Sequence, residues 1–331
     1  MSGDDSYLYR VPSVEKKPDK YEDNYCELSE MCRKIAAEEL RETDEVRKQS
    51  LEQFRDWIAK HPHIKKCRTD TQFLLRFLRS RKFIMNSAME NLERFLVAKA
   101  LHPEWFSRLD IEDPELAALV DTGYLYPLPE KDAKGRRIIF NDTSRLDPTK
   151  FKASHVIRIH LLVNELLFDR PDVQTAGVIL VYDLTGMTMS QLSLASLNEI
   201  KTIASYSIKA LPLRLRECHF VGAPGATMTI VNFTLQLFSE KLRQRIFLYQ
   251  SWDELYAKVD RNLLPKEFGG KIPKAECLDQ FKQQCHKARD RLLKSEEMHI
   301  EITKDSKYWQ DTTDAELESG AIGTFRKLTV D

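Results

Sequence analysis

The sequence lacks four common catalytic signatures: GxGxxG, GxxxxGK(S/T), GxSxG and HExxH are all absent from its 331 residues. A nucleotide cradle, a hydrolase elbow and a zinc-protease centre are excluded with them. His155 and His160 lie five apart on one helical segment, a poor spacing for shared metal ligation, so no metal site is expected. The six cysteines form no CxxC pair, and a chain of this size needs no disulfide staples; reduced thiols in a cytoplasmic setting follow. Excess charge of one sign is also absent. The 51 bases balance 51 acids, which leaves no whole-molecule field to draw the chain onto nucleic acid. No apolar run approaches the ~20 residues of a spanning helix, and the opening MSGDDSYLYRVPS has no signal-peptide core. Any membrane contact is therefore expected to be peripheral. Neither a repeat of solenoid period nor a low-complexity tract is present.

What is present is an apolar fraction of 42%, enough for a sizeable core. Between Gly177 and Gly270 it is gathered into three β-like runs, GVILVYDL (177–184), ECHFVGA (217–223) and RIFLY (245–249), closing on LLPKEFGG (263–270). The first run is nearly continuous in Val, Ile and Leu, the pattern of a strand buried on both faces. An earlier strand is expected at 137–141, after a Pro-containing approach, and HVIRIHLLVNELLF (155–168) reads as a helix. Helical spacers between strands make right-handed parallel crossovers the expected topology. Upstream, Leu51, Phe54 and Ile58, and the pairs Phe73/Phe77 and Leu74/Leu78, fall at helical spacing. Thr69 or Asp70 is placed to cap the helix that opens TQFLLRFLR. The expected division is a mobile tail over 1–30, with eight acids, four bases and two prolines, then a helical domain over 31–105. An α/β domain follows over 106–275, and 276–331 holds a charged helix, to about 297, and a polar tail.

The segment from Met228 to Arg243 spreads its apolar residues over most of a helical circumference, whereas a surface helix shows one stripe about 100° wide. It reads either as a fully buried helix or as a lid with one face over a cavity and the other toward solvent or lipid. Asn232, Gln236 and Ser239 make it too polar to span a bilayer. Its basic end (Lys241, Arg243, Arg245) offsets a helix dipole without further purpose. Residues 60–82 add eight bases against the single acid Asp70, a local net of +7, and Arg214 and Arg216 precede the second run. These groups are either solvated faces or, if the fold brings them together, a phosphate-binding surface on a neutral protein. Asp183 ends the first run where α/β folds place functional groups; turn chemistry assigns it to the YDLTG turn, and no catalytic residue is expected.

Six ordered stretches carry a resemblance: FLLRFLRSRKF (73–83), PLPEKDAKGRRIIF (127–140), VYDLTGMT (181–188), LPLRLRECHFVGAP (211–224), SEKLRQRIFLY (239–249) and LLPKEFGG (263–270). Together, over about 30–275, they resemble the CRAL-TRIO family, and within it the animal α-tocopherol transfer protein and cellular retinaldehyde-binding protein group. The ending GTFRKLTVD is similar to arthropod members. The resemblance implies an N-terminal helical domain and then an α/β domain with a mostly parallel sheet, a hydrophobic pocket and a mobile lid helix. It implies transfer of a small lipid between membranes without covalent chemistry. It also implies a cleft for phosphatidylinositol bisphosphate at Arg81, Arg214, Lys241 and Arg245, all four basic here. Strand direction and the family pattern together nominate Val178, Leu180, Tyr182, Leu194, Ile203, Ile230, Val231 and Phe233 as pocket residues, with Tyr182 as the polar contact. Where relatives commonly carry Lys-Pro in the lid, this chain has Leu235-Gln236, which implies a straighter lid and weaker dependence on anionic lipid.

The expected function is that of a monomeric cytoplasmic carrier with no cofactor other than a bound hydrophobic ligand: a tocopherol, retinoid, carotenoid, terpenoid or similar lipid. It would associate transiently with phosphoinositide-containing endosomal or other cytosolic membrane faces. The alternative is a phosphoinositide-responsive regulatory module whose pocket lipid is structural. An α/β enzyme acting on a lipid rests on fold analogy alone.

Overall fold

Each apolar run of the 177–270 stretch becomes a strand of one five-stranded sheet. The computed structural model describes residues 5–236, 238–304 and 306–308, without the side chains of Asp5, Leu197, Ala226, Thr227, Thr229, Ile230, Phe233 and Thr234. The strands are β1 (Leu125–Lys131), β2 (Arg137–Asp142), β3 (Val178–Asp183), β4 (Leu215–Val221) and β5 (Ile246–Tyr249), and they lie side by side in chain order. β2 to β5 run parallel, and β1 pairs antiparallel with β2. β1 is a strand in place of the expected Pro-containing approach to the first strand. Its Pro127 and Pro129 have no N–H for a ladder, which confines such a strand to a sheet edge, and β1 is the edge.

The longest helices before the sheet are α1 (Glu30–Leu40), α2 (Asp44–Lys60), α3 (Thr71–Ser80) and α4 (Met85–Leu101), with two short ones, Pro103–Phe106 and Pro114–Thr122, between α4 and β1. Asp70 caps α3, its carboxylate accepting from the Phe73 N–H at 3.1 Å. The first thirty residues differ from the tail expected of them. Over 5–29 they pack on the helices: the Cys67 N–H donates to the Val14 carbonyl, Asn24 bridges Asp70 and Gln72, and Leu8, Val14 and Leu28 are buried. Acidic composition concealed this because the acids are partners: Glu22 and Asp23 accept from Ser13 and Thr71. Residues 1–4 and the GTFRKLTVD ending lie outside the described residues.

Sequential strand order with right-handed connections places every crossover helix on one face of the sheet. The connections are α5 (Ala153–Leu167) from β2 to β3, α6 (Leu197–Lys209) from β3 to β4, and α7 (Gly225–Gln236) with α8 (Glu240–Arg243) from β4 to β5. The opposite face is closed by aromatic packing, with Phe140 4.7 Å from Phe268 and 6.3 Å from Trp252 between ring centres. The C-terminal helix α9 (Lys274–Glu296) is part of the body: its Arg291 is buried against Asp169, which follows α5.

That contact belongs to a buried ion cluster. Asp169 accepts from Arg76 at 2.7 Å, Arg291 at 2.7 Å and Arg68 at 3.1 Å, while Asp70 and Glu165 pair with Arg68 and Arg76. Burial alone would raise the Asp169 pKa, but the three guanidinium groups outweigh it and hold the carboxyl far below its ordinary range. Arg79 is likewise buried on Glu42, 2.7 Å away. The +7 run at 60–82 is therefore neither one solvated face nor one phosphate surface. Three of its arginines are internal ion-pair partners that join helices far apart in sequence.

Candidate functional site

The sheet and its crossover helices enclose a cavity of about 660 Å³. Register explains its floor. Ile139, Leu180, Cys218 and Ile246 are directly paired across β2, β3, β4 and β5, so all four side chains leave the sheet on one side, and all four line the cavity. Two residues along, Tyr182 pairs with Phe220, and their rings stack at 5.0 Å. The roof comes from α5 and α6, which contribute Val156, Ile157, His160, Leu161, Asn164, Ile203, Tyr206 and Ser207. Phe238 and Leu242 close one side.

The expected helix from Met228 to Arg243 is two helices. α7 ends at Gln236 and α8 begins at Glu240, because Ser239 is extended (φ −62°, ψ 155°) and its carbonyl restarts the ladder by accepting from Leu242 and Arg243. The expected lid is thus interrupted, not one continuous helix. The helix stops at Leu235-Gln236 without a proline to stop it.

One end of the cavity is cationic. Arg81, Lys82, Arg214, Arg216, Lys241 and Arg245 all contribute to its lining there, against a single carboxylate, Glu39 of α1. Lys82 and Phe83 take left-handed backbone angles (φ 52° and 58°) in the turn after α3, an uncommon pair for residues with side chains. Arg214 and Arg216 reach Glu39 at 3.0 and 2.8 Å and each donates to a backbone carbonyl, of Thr175 and Ala176 respectively. Burial, and then the neighbouring Arg216, pull the Arg214 pKa down to about 10. Burial is the larger cause, and the repulsion from Arg216 and Arg245 adds to it against the attraction of Glu39.

Of the residues nominated from sequence, Leu180, Tyr182 and Ile203 are on the cavity wall, and Arg81, Arg214, Lys241 and Arg245 come together at its cationic end. Val178 is on the same face of β3 as Leu180 but is fully covered: at the preceding Gly177, β-carbon space is taken by the Arg214 carbonyl. Leu194 packs against the main core beyond the wall, and Val231 is half-buried on α7 away from the lining. The side chains of Ile230 and Phe233 lie outside the described residues. Asp183 is turned into the strand-ending turn, accepting from the Thr185 N–H at 3.0 Å; burial, with Asp142 beside it, raises its pKa.

Sequence reasoning missed His160, Asn164, Cys218 and Phe220. A signal for the first two existed: Val156, Ile157, His160, Leu161 and Asn164 fall at i, i+1, i+4, i+5 and i+8, one face of a helix. His160 Nδ1 lies 2.8 Å from the Val156 carbonyl, and its ring is nearly parallel to that of Tyr182 at 6.4 Å. Burial lowers its pKa and raises that of Tyr182, so both are neutral groups.

Among the described residues no helix is long and apolar enough to cross a membrane, and no cluster of His, Cys, Asp and Glu has the makings of a metal site. Comparison with known proteins matches a CRAL/TRIO domain over residues 121–270 and a Pinta-like, UBA domain over residues 43–116. Clavesin-1 of Rattus norvegicus is 30% identical over 236 residues, covering 71% of this chain and 67% of that protein. Alpha-tocopherol transfer protein-like of Mus musculus is 30% identical over 246 residues, covering 74% of this chain and 71% of that protein. Clavesin-2 of Homo sapiens is 28% identical over 236 residues, with 71% and 72% covered. With its helical N-terminal region, its mostly parallel sheet and these matches, the chain belongs to the CRAL-TRIO family.

Proposed function

We propose that this protein is a monomeric, non-enzymatic cytoplasmic carrier that holds a small hydrophobic ligand in the cavity and exchanges it with phosphoinositide-containing membranes. The observation that supports the reading most is that apolar groups such as Leu180 and Ile203 and the bases Arg214 and Lys241 line one and the same cavity. The name of the mouse relative, a transfer protein-like sequence, points the same way. Burying on the order of 400 Å² of apolar ligand surface at roughly 25 cal/mol per Å² gives about 10 kcal/mol before association costs, ample for retention. Release then needs a membrane that stabilises the open state. Anionic headgroups on the cationic end, with apolar contact to the α7–α8 segment, supply that differential binding.

Transfer of a fluorescent lipid between vesicles tests the reading, with Leu180→Trp filling the floor. The carrier reading expects transfer to collapse while binding to phosphoinositide vesicles persists. A regulatory module whose pocket lipid is structural expects little transfer from the native protein, and vesicle binding that survives the substitution. If solvent extraction of the purified protein yields no lipid and the cavity takes up no fluorescent lipid, carriage is wrong.

A further inference from the structure

One group on the cavity wall has an open and directional hydrogen-bonding capacity. Among the described residues, the only polar atom that pairs with His160 Nδ1 is the Val156 carbonyl oxygen at 2.8 Å, and a carbonyl oxygen only accepts. Nδ1 therefore carries the ring proton. In the neutral imidazole that leaves Nε2 as a bare acceptor, and no described residue donates to it. The same ring faces Tyr182, whose hydroxyl also has no partner among the described residues, across 6.4 Å with 14° between ring planes. The other polar side chains on the wall do not discriminate: the Tyr206 hydroxyl, buried and without a partner among the described residues, can donate or accept. Ser207 is engaged with the Ile203 carbonyl at 2.8 Å, and the Asn164 amide offers a donor and an acceptor alike.

We propose that the cavity selects a lipid whose buried end is an alcohol or phenol, the ligand O–H donating to His160 Nε2 while its oxygen accepts from the Tyr182 hydroxyl. An aldehyde, ketone, ester or ether presents only lone pairs to Nε2, leaving two desolvated acceptors face to face. A site built to bond a hydroxyl rejects an isostere that lacks the donor, because its own polar group is then stranded without water. A carboxylate is directed to the cationic end instead, where Arg214 and Arg216 stand. The inference rests on the carrier reading and narrows it: the ligand is a hydroxyl-bearing neutral lipid of terpenoid or phenolic kind, not an aldehyde or a fatty acid.

The test uses the full chain and three probes: a pyrene-labelled alkane as reporter, geranylgeraniol, and geranylgeranyl methyl ether as competitors with the same body. The alcohol is expected to displace the reporter at least ~10-fold more strongly than the ether. His160→Phe should bring that ratio close to one while reporter and ether still bind, which shows that the cavity is intact. Nitrogen-15 NMR gives a second readout: the alcohol should shift the Nε2 resonance of His160, and the ether should leave it in place. Equal displacement by the two competitors in the native protein overturns the hydroxyl proposal and leaves the carrier reading standing. So does a preference that survives His160→Phe. If the native protein binds neither the reporter nor either competitor, the carrier reading itself falls.

Discussion

Two arginine clusters lie within one molecule, and they have opposite electrostatic endings. Around Asp169, Arg68, Arg76 and Arg291 meet Asp70, Asp169 and Glu165, three charges of each sign, all buried and closely paired. At the end of the cavity six bases face Glu39 alone. Chain position does not separate them, since Arg76 and Arg81 are five residues apart. What separates them is whether the fold supplies carboxylates, and that decides which cluster is architecture and which is a site for an outside anion.

The sharpest way to break this contrast is at Asp169. Asp169→Asn leaves three guanidinium groups buried with too few partners, and removing one member of a buried ion pair costs about 3 to 5 kcal/mol. Equilibrium denaturation in guanidinium chloride reads this out; a loss under ~1 kcal/mol means that solvent reaches the cluster and that the two regions are alike. Acid gives the same information without mutation. The Asp169 pKa is depressed in the folded state, so its contribution is complete above the ordinary carboxylate range. It is lost as pH falls below that range toward the folded value, and Asp169→Asn should flatten the acid limb of the stability curve.

The cationic end should answer in the opposite way. Lys82 and Lys241 have no ion-pair partner among the described residues, so the double variant Lys82→Ala, Lys241→Ala should leave unfolding within ~1 kcal/mol of the native protein. Its affinity for anionic vesicles should fall about 30-fold at low salt, from roughly 1 kcal/mol per base near a membrane surface. Salt should weaken the native protein more than the variant. Undiminished binding would place the membrane contact elsewhere on the surface.

Much of the sheet was legible because burial on both faces leaves a near-continuous apolar run, and the face of β3 that carries Leu180 and Tyr182 follows from strand alternation. β1 was not legible, since Pro127 and Pro129 oppose a strand everywhere except at an edge, and edge position is a property of the whole sheet. The packed state of residues 5–29 was hidden for a related reason: Asp23 and Glu22 look like tail composition until Thr71 and Ser13 are brought beside them. Arg76 and Arg81 look equivalent in the +7 run. The pairing that distinguishes them comes from Glu165 and Asp169, about ninety residues away, and no local pattern encodes it.

The smallest expected effect tests the border between the two regions. Glu39 is the one carboxylate among the described lining residues, and it comes from α1, whose buried residues Cys32, Ala36 and Leu40 form, with the preceding Leu28, a cluster separate from the main core. Its partners Arg214 and Arg216 hold its pKa down against the opposing effect of burial, so at neutral pH it stands where an outside anion would stand. Glu39 is 42% exposed in its side chain, so its ion pairs are solvent-screened and worth at most about 1 kcal/mol. Glu39→Gln should therefore barely move the unfolding midpoint, yet it frees two guanidinium groups and should raise affinity for anionic vesicles about 3- to 5-fold, by roughly the same 1 kcal/mol. If affinity instead falls, Glu39 positions Arg214 and Arg216 for the headgroup and does not compete with it, and the cationic end is then a site completed by its carboxylate, a small-scale version of the cluster around Asp169.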